Sequence, residues 1–77
     1  MTKLGVFLSK RAINKSEVAR RTGLSKARIN ELSLTPSAKL TGRELYIIAL
    51  AIQTSPCELL DELYGDLKFV DGVVVGE

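Results

Sequence analysis

An all-α bundle of five helices followed by a short C-terminal β-hairpin is the fold that this 77-residue sequence predicts. Three observations carry that expectation. Helix-start chemistry recurs, an oxygen-bearing N-cap with Glu three residues later, at Asn14 and Glu17, Thr41 and Glu44, and Ser55 and Glu58. In such capping boxes the cap oxygen takes an orphan backbone N–H and the Glu reaches back to the N–H of the cap. Between those starts apolar residues return at helical spacing. After Gly65 the pattern changes to β-prone stretches, residues 67–70 and 73–75, around Asp71-Gly72, a dipeptide suited to a two-residue hairpin turn.

The first helix, from about residue 2 to 12, sets Leu4, Phe7, Leu8 and Arg11 on one face and Lys3 and Lys10 on the other. Helices at 15–22 and 26–33 meet at a tight corner. There Ala19 is small where the second helix must come close, Gly23 can take a positive φ, Leu24 plugs the gap, and Val18, Ile29 and Leu32 bury the inner faces. Ser25 is the N-cap of the 26–33 helix, yet Arg28 stands where the other starts place Glu. A helix start already carries partial positive charge, so a base there makes sense if an external anion is to arrive.

The fourth helix, 42–53, is apolar nearly all round through Leu45, Ile47, Ile48, Leu50 and Ile52, and is expected to run through the centre of the bundle. Pro56 opens the fifth, 56–64, at the position where its missing N–H costs nothing, and Leu59, Leu60 and Leu63 close the core. The expected division is a helical domain over 1–64 and a tail over 65–77. An isolated two-stranded hairpin is marginal in water, so this one is expected to pack on the helices or to pair with another chain.

Composition narrows the function. With one cysteine, Cys57, and no histidine, neither a disulfide nor an ordinary zinc set is expected. Cys57 reads as a small, half-buried apolar residue, and a reduced, cytoplasmic setting fits. No acid–base or nucleophilic set is visible and no cofactor is called for, so an enzyme is not expected. The longest apolar run, 45–52, is too short for a bilayer, and no membrane partner is expected. Net charge is only +2, but residues 1–43 hold ten Lys or Arg against Glu17 and Glu31, while 44–77 hold Lys68 against seven acids. A basic half suits a polyanionic partner, with the acidic half turned away from it.

The stretch INKSEVARRTGLSKARINEL, residues 13–32, resembles the helix-turn-helix of Cro and phage-repressor proteins, the XRE family. The likeness runs from about residue 4 to 63 and implies the five-helix, lambda-repressor-like bundle. It also implies a sequence-specific, repressor-like transcriptional regulator that lays the 26–33 helix in the major groove of double-stranded DNA. A single module buries little surface, so a homodimer on a pseudo-palindromic operator is expected.

Taking the direction midway between Ile29 and Leu32 as inward, the outer face of that helix centres near Ala27, with Asn30 and Glu31 beside it and Lys26 and Arg28 at its sides. These five form the expected base-readout set. Asn30 can pair doubly with adenine, Lys26 or Arg28 can donate to guanine, Glu31 can accept from cytosine, and Ala27 can touch a thymine methyl. The family reads bases with the first residues of this helix and one about five positions in, which the resemblance carries onto Lys26, Ala27, Arg28 and Glu31. Phosphate contacts are expected from Asn14 and Lys15, where the family places polar residues, and from Ser25. Lys10, Arg11, Lys39 and Arg43 are candidate additions, and Arg20 and Arg21 weaker ones.

Two departures stand out. Ser33, Leu34 and Thr35 replace the acidic residue and glycine usual after the third helix, and the hairpin is no standard part of the five-helix domain. In that tail Phe69, Val70, Val73, Val74 and Val75 are the candidate dimer contact. The alternative function is a protein-interaction module, antitoxin-like, whose tail binds a partner protein.

Overall fold

The computed structural model describes residues 1–76; the Glu77 end of the tail lies outside the described residues. Five helices, α1 (Lys3–Lys10), α2 (Lys15–Thr22), α3 (Lys26–Leu34), α4 (Gly42–Ala51) and α5 (Pro56–Tyr64), precede the strands β1 (Lys68–Val70) and β2 (Val73–Val75). None of these helices is long and apolar enough to cross a membrane.

Side-chain oxygens of Thr2, Asn14, Ser25 and Thr41 each accept first-turn backbone N–H groups, which is why four of the helices begin where they do. Of the three expected capping boxes only Thr41 with Glu44 is complete. Asn14 caps α2, but the Glu17 carboxylate is drawn off by Arg20 and Arg21. Ser55 makes no side-chain cap bond, so Pro56 in the first turn marks that start without it. At the corner, Gly23 sits in the left-handed region with φ 81°, and its N–H closes on the Ala19 carbonyl at 2.9 Å. Any residue with a Cβ would be strained there.

The core is shared by all five helices through Leu4, Leu8, Val18, Ile29, Ile48 and Leu59, with their neighbours on the same faces. Helix α1 packs on α3 and α5, α2 on α3 and α4, and α4 on α5. The start of α1 also caps the end of α3. The Thr2 hydroxyl reaches the Leu32 and Ser33 carbonyls at 2.7 and 3.0 Å, and the Thr2 N–H donates to Ser33 at 2.9 Å. This approach is so close that a Cβ on Gly5 would lie 2.2 Å from the Ser33 carbonyl oxygen.

Three expectations about burial are corrected. Helix α4 ends at Ala51, and it is not covered all round: Leu45, Ile48 and Ala49 are buried, whereas Tyr46 and Leu50 are 54 and 59 % exposed. Its packing partners are α2 and α5, and the remaining face turns to solvent. Helix α5 buries the narrow stripe of Leu59 and Leu63, one turn apart, which leaves Leu60 and the Cys57 thiol exposed.

In the hairpin Asp71 and Gly72 take φ 52° and 84°, the pair of positive values that a type I′ turn needs. Lys68 faces Val75, Phe69 faces Val74 and Val70 faces Val73. Neither strand packs against a helix, and every residue of both is exposed. An ion pair between Lys3 and Asp66, 3.1 Å, ties the base of the tail to α1.

Candidate nucleic-acid interface

Helix α3 divides cleanly between two environments. Ile29, Leu32 and Ser33 are buried; Lys26, Ala27 and Glu31 are exposed; Arg28 and Asn30 are half-buried at the sides. The outer strip around Ala27 is therefore open, and the hairpin does not cover it.

Two contacts decide what flanks that strip. On one side the Lys15 ammonium donates to the Asn30 amide oxygen at 3.2 Å, bringing the first turn of α2 against the middle of α3. On the other side the Arg28 guanidinium grips the Glu44 carboxylate through Nε and Nη2 at 2.7 and 2.9 Å, Glu31 at 2.7 Å and the Lys39 carbonyl at 2.7 Å. Those bonds hold the connection after α3 and the start of α4 beside α3, and with them the backbone that carries Lys39 and Arg43. Two helix starts, each with partial positive charge, thus border α3.

The planar fork of an arginine matches a carboxylate in a way a lysine cannot. Held by Arg28, and further by the N–H and hydroxyl of Thr41, Glu44 titrates at about 2 despite its burial. Arg28 is pushed above its usual value by the bonds to Glu44 and Glu31. Within the chain Glu44 and Glu31 are the anions that Arg28 meets, and with the Lys39 carbonyl they take four of its five N–H groups. No local pattern could reveal the pairing with Glu44, because it lies sixteen residues away.

The other basic residues sort by side. Arg11 donates to Glu58 at 2.7 Å and to Thr54 at 3.2 Å and lies 4.7 Å from the centre of the Phe7 ring. Lys10 shares a surface hollow with Phe7 and Glu62. Both belong to the α1–α5 side, so the structure does not bring them to α3. Arg20 and Arg21 engage Glu17, whose carboxyl they lower to about 2, and Arg21 also donates to the Ala51 carbonyl of α4 at 2.9 Å. Asn14 and Ser25 spend one oxygen each on capping; the Ser25 hydroxyl keeps its proton for an outside acceptor.

A short exposed helix fixed at a glycine corner, with cations and helix starts on both sides, is the arrangement of a helix-turn-helix DNA-binding domain. The chain belongs to the family of Cro/C1-type HTH DNA-binding domains, whose model matches residues 3–61. The match reaches into α5 and leaves the hairpin outside. No curated protein and no solved structure shows a significant match to the chain.

Proposed function

We propose that the protein is a repressor-like, sequence-specific transcriptional regulator that inserts α3 into the major groove. Two copies occupy a pseudo-palindromic operator with half-sites about one helical turn apart. The observation that carries this reading is the open strip of α3 with Lys15 at one flank and the Lys39–Arg43 segment at the other. Lys26, Ala27, Asn30 and Glu31 face the bases. A lysine can only donate, so its contact is with the Asn30 oxygen and the amide NH2 is left as the group that Asn30 presents. That favours an acceptor edge, purine N7 or O6 or thymine O4, over the double pairing with adenine. Arg28 acts as a positioning residue that sets the tilt of α3. Asn14, Lys15, Ser25, Lys39 and Arg43 meet phosphates, while Lys10 and Arg11 add only to the general field.

A single small module buries about 600–1,000 Å² on DNA, too little for high specificity, and symmetry doubles it. Repression follows by occlusion of the operator. Selection of bound sites from a random duplex pool, followed by a salt titration, tests the proposal. Enrichment of an inverted repeat is expected, with affinity falling at a log–log slope of about −0.9 per phosphate neutralised. A pool without enrichment, or a flat salt response, overturns it. The uncovered hairpin supports a second reading, a tail that binds another protein, and the mass of the species purified from cells separates the two.

A further inference from the structure

Glu31 is the one acid of α3, and it stands exposed beside Ala27 on the open strip. A carboxylate there would meet the phosphates of a duplex, so an unpaired one would oppose binding. This one is paired. We propose that Arg28 orients Glu31 as the reader of one cytosine, with Glu31 Oε2 accepting the N4–H that this base turns to the major groove. The inference deepens the major-groove reading of α3 and rests on it.

Arg28 holds Glu31 from a fixed mount. Its Nε and Nη2 lie on the Glu44 carboxylate at 2.7 and 2.9 Å, and Nη2 also donates to the Lys39 carbonyl at 2.7 Å. A guanidinium is planar and its donors form a rigid fork, so fixing Nε and Nη2 fixes Nη1 as well. Nη1 donates to Glu31 Oε1 at 2.7 Å, while Oε2 accepts from no described residue. The carboxylate thus has one oxygen tethered and one free. A free glutamate loses rotamer entropy on reaching a base; here folding has already taken that cost, and the Arg28 charge offsets the repulsion from phosphate.

The free oxygen selects the base. Guanine and thymine present acceptors to the groove, which a carboxylate repels, and adenine sets its N7 acceptor beside its amino group. Cytosine alone offers an amino donor with no acceptor next to it on the same base. Across the strip the Lys15 ammonium holds the Asn30 oxygen and leaves the amide NH2 to donate. Two neighbouring positions of α3, each steadied by a cation, therefore present opposite chemistry: a donor at Asn30 and an acceptor at Glu31.

Selection from a random duplex pool, run in parallel with the wild-type chain and with Glu31→Gln, tests the assignment. The wild type is expected to select a site with an invariant cytosine. Arg28 can only donate, so in Glu31→Gln it keeps the amide oxygen and turns the NH2 outward, and the base selected at that position should switch to guanine or thymine. An amide free of Arg28 would instead pair doubly with adenine. In the wild-type site, N4-methylcytosine replaces the groove-facing N–H by a methyl group and keeps the base pair. It is expected to weaken binding at least about tenfold. A merely structural Arg28 would not move the base choice of Glu31→Gln. A pool that yields no site ends the major-groove reading and this assignment with it. A selected site without the cytosine, tolerance of the methylated base, or a Glu31→Gln chain that keeps cytosine, turns to adenine or loses all preference there overturns the assignment alone.

Discussion

Leu8, Ile29, Ile48 and Leu59 in the bundle are 0–1 % exposed, whereas Phe69, Val73 and Val74 in the hairpin are 57–73 % exposed, although the two groups are comparably apolar. The difference comes from what each kind of element can share. A short helix commits one stripe and finds two others to pack it against, withdrawing about 1.5–3 kcal/mol of transfer free energy per large side chain. Three-residue strands have two faces and no layer to lie on, so their valines keep water contact for as long as the copy stands alone. Apolar content by itself therefore says little about where burial takes place. In the bundle it happens on folding; in the hairpin the single chain does not supply it.

The largest effects should separate these regions. Leu59→Ala is expected to lose about 2–5 kcal/mol in urea unfolding, against less than about 0.5 kcal/mol for Val73→Ala in dilute solution. Similar losses at the two sites would erase the contrast. Next comes the Arg28–Glu44 pair, whose worth lies inside the bundle although Arg28 borders the exposed strip of α3. Glu44→Gln is expected to cost about 1–3 kcal/mol at neutral pH.

Because the folded-state value of Glu44 is lowered from 4.5 to about 2, its stabilisation is complete above 4.5 and drains away as pH falls from there to about 2. Thermal midpoints across that window should drop more steeply for the wild type than for Glu44→Gln; parallel curves would show that the pair contributes nothing. Ser33→Ala should gain about 1 kcal/mol, since Ser33 Oγ is buried without a hydrogen-bond partner, and a loss would point to a role that the structure does not display. The smallest expected change is in the salt dependence of DNA binding. Lys39→Ala lowers the log–log slope by about one and Lys10→Ala leaves it alone, which checks the division of the basic residues by side.

Local signals made much of this fold legible. Caps, apolar spacing and Asp71-Gly72 mark the five helices and the hairpin, because each acts within a few residues of itself. The outer strip of α3 was equally readable, since Ile29 and Leu32 define an inward direction and the helix period does the rest. What stayed hidden depends on contacts far along the chain. Tyr46 and Leu50 sit on an apolar helix whose covered side is decided by α2 and α5, and the dense apolar content of α4 could not say which side that was. Lys10 and Arg11 carry the right charge but turn with α1 toward α5. Gly5 has an ordinary helical neighbourhood in sequence, and only the approach of the Ser33 carbonyl shows why a larger residue is not tolerated there.

The four bonds of Arg28 split α3 into exchangeable and fixed positions. Lys26 and Ala27 project into solvent, and under the proposed function their replacement is expected to change the selected DNA site without disturbing the body that carries them. Arg28, next to Ala27, joins α3 to the start of α4, so a library built to test that role should hold it constant together with Glu44.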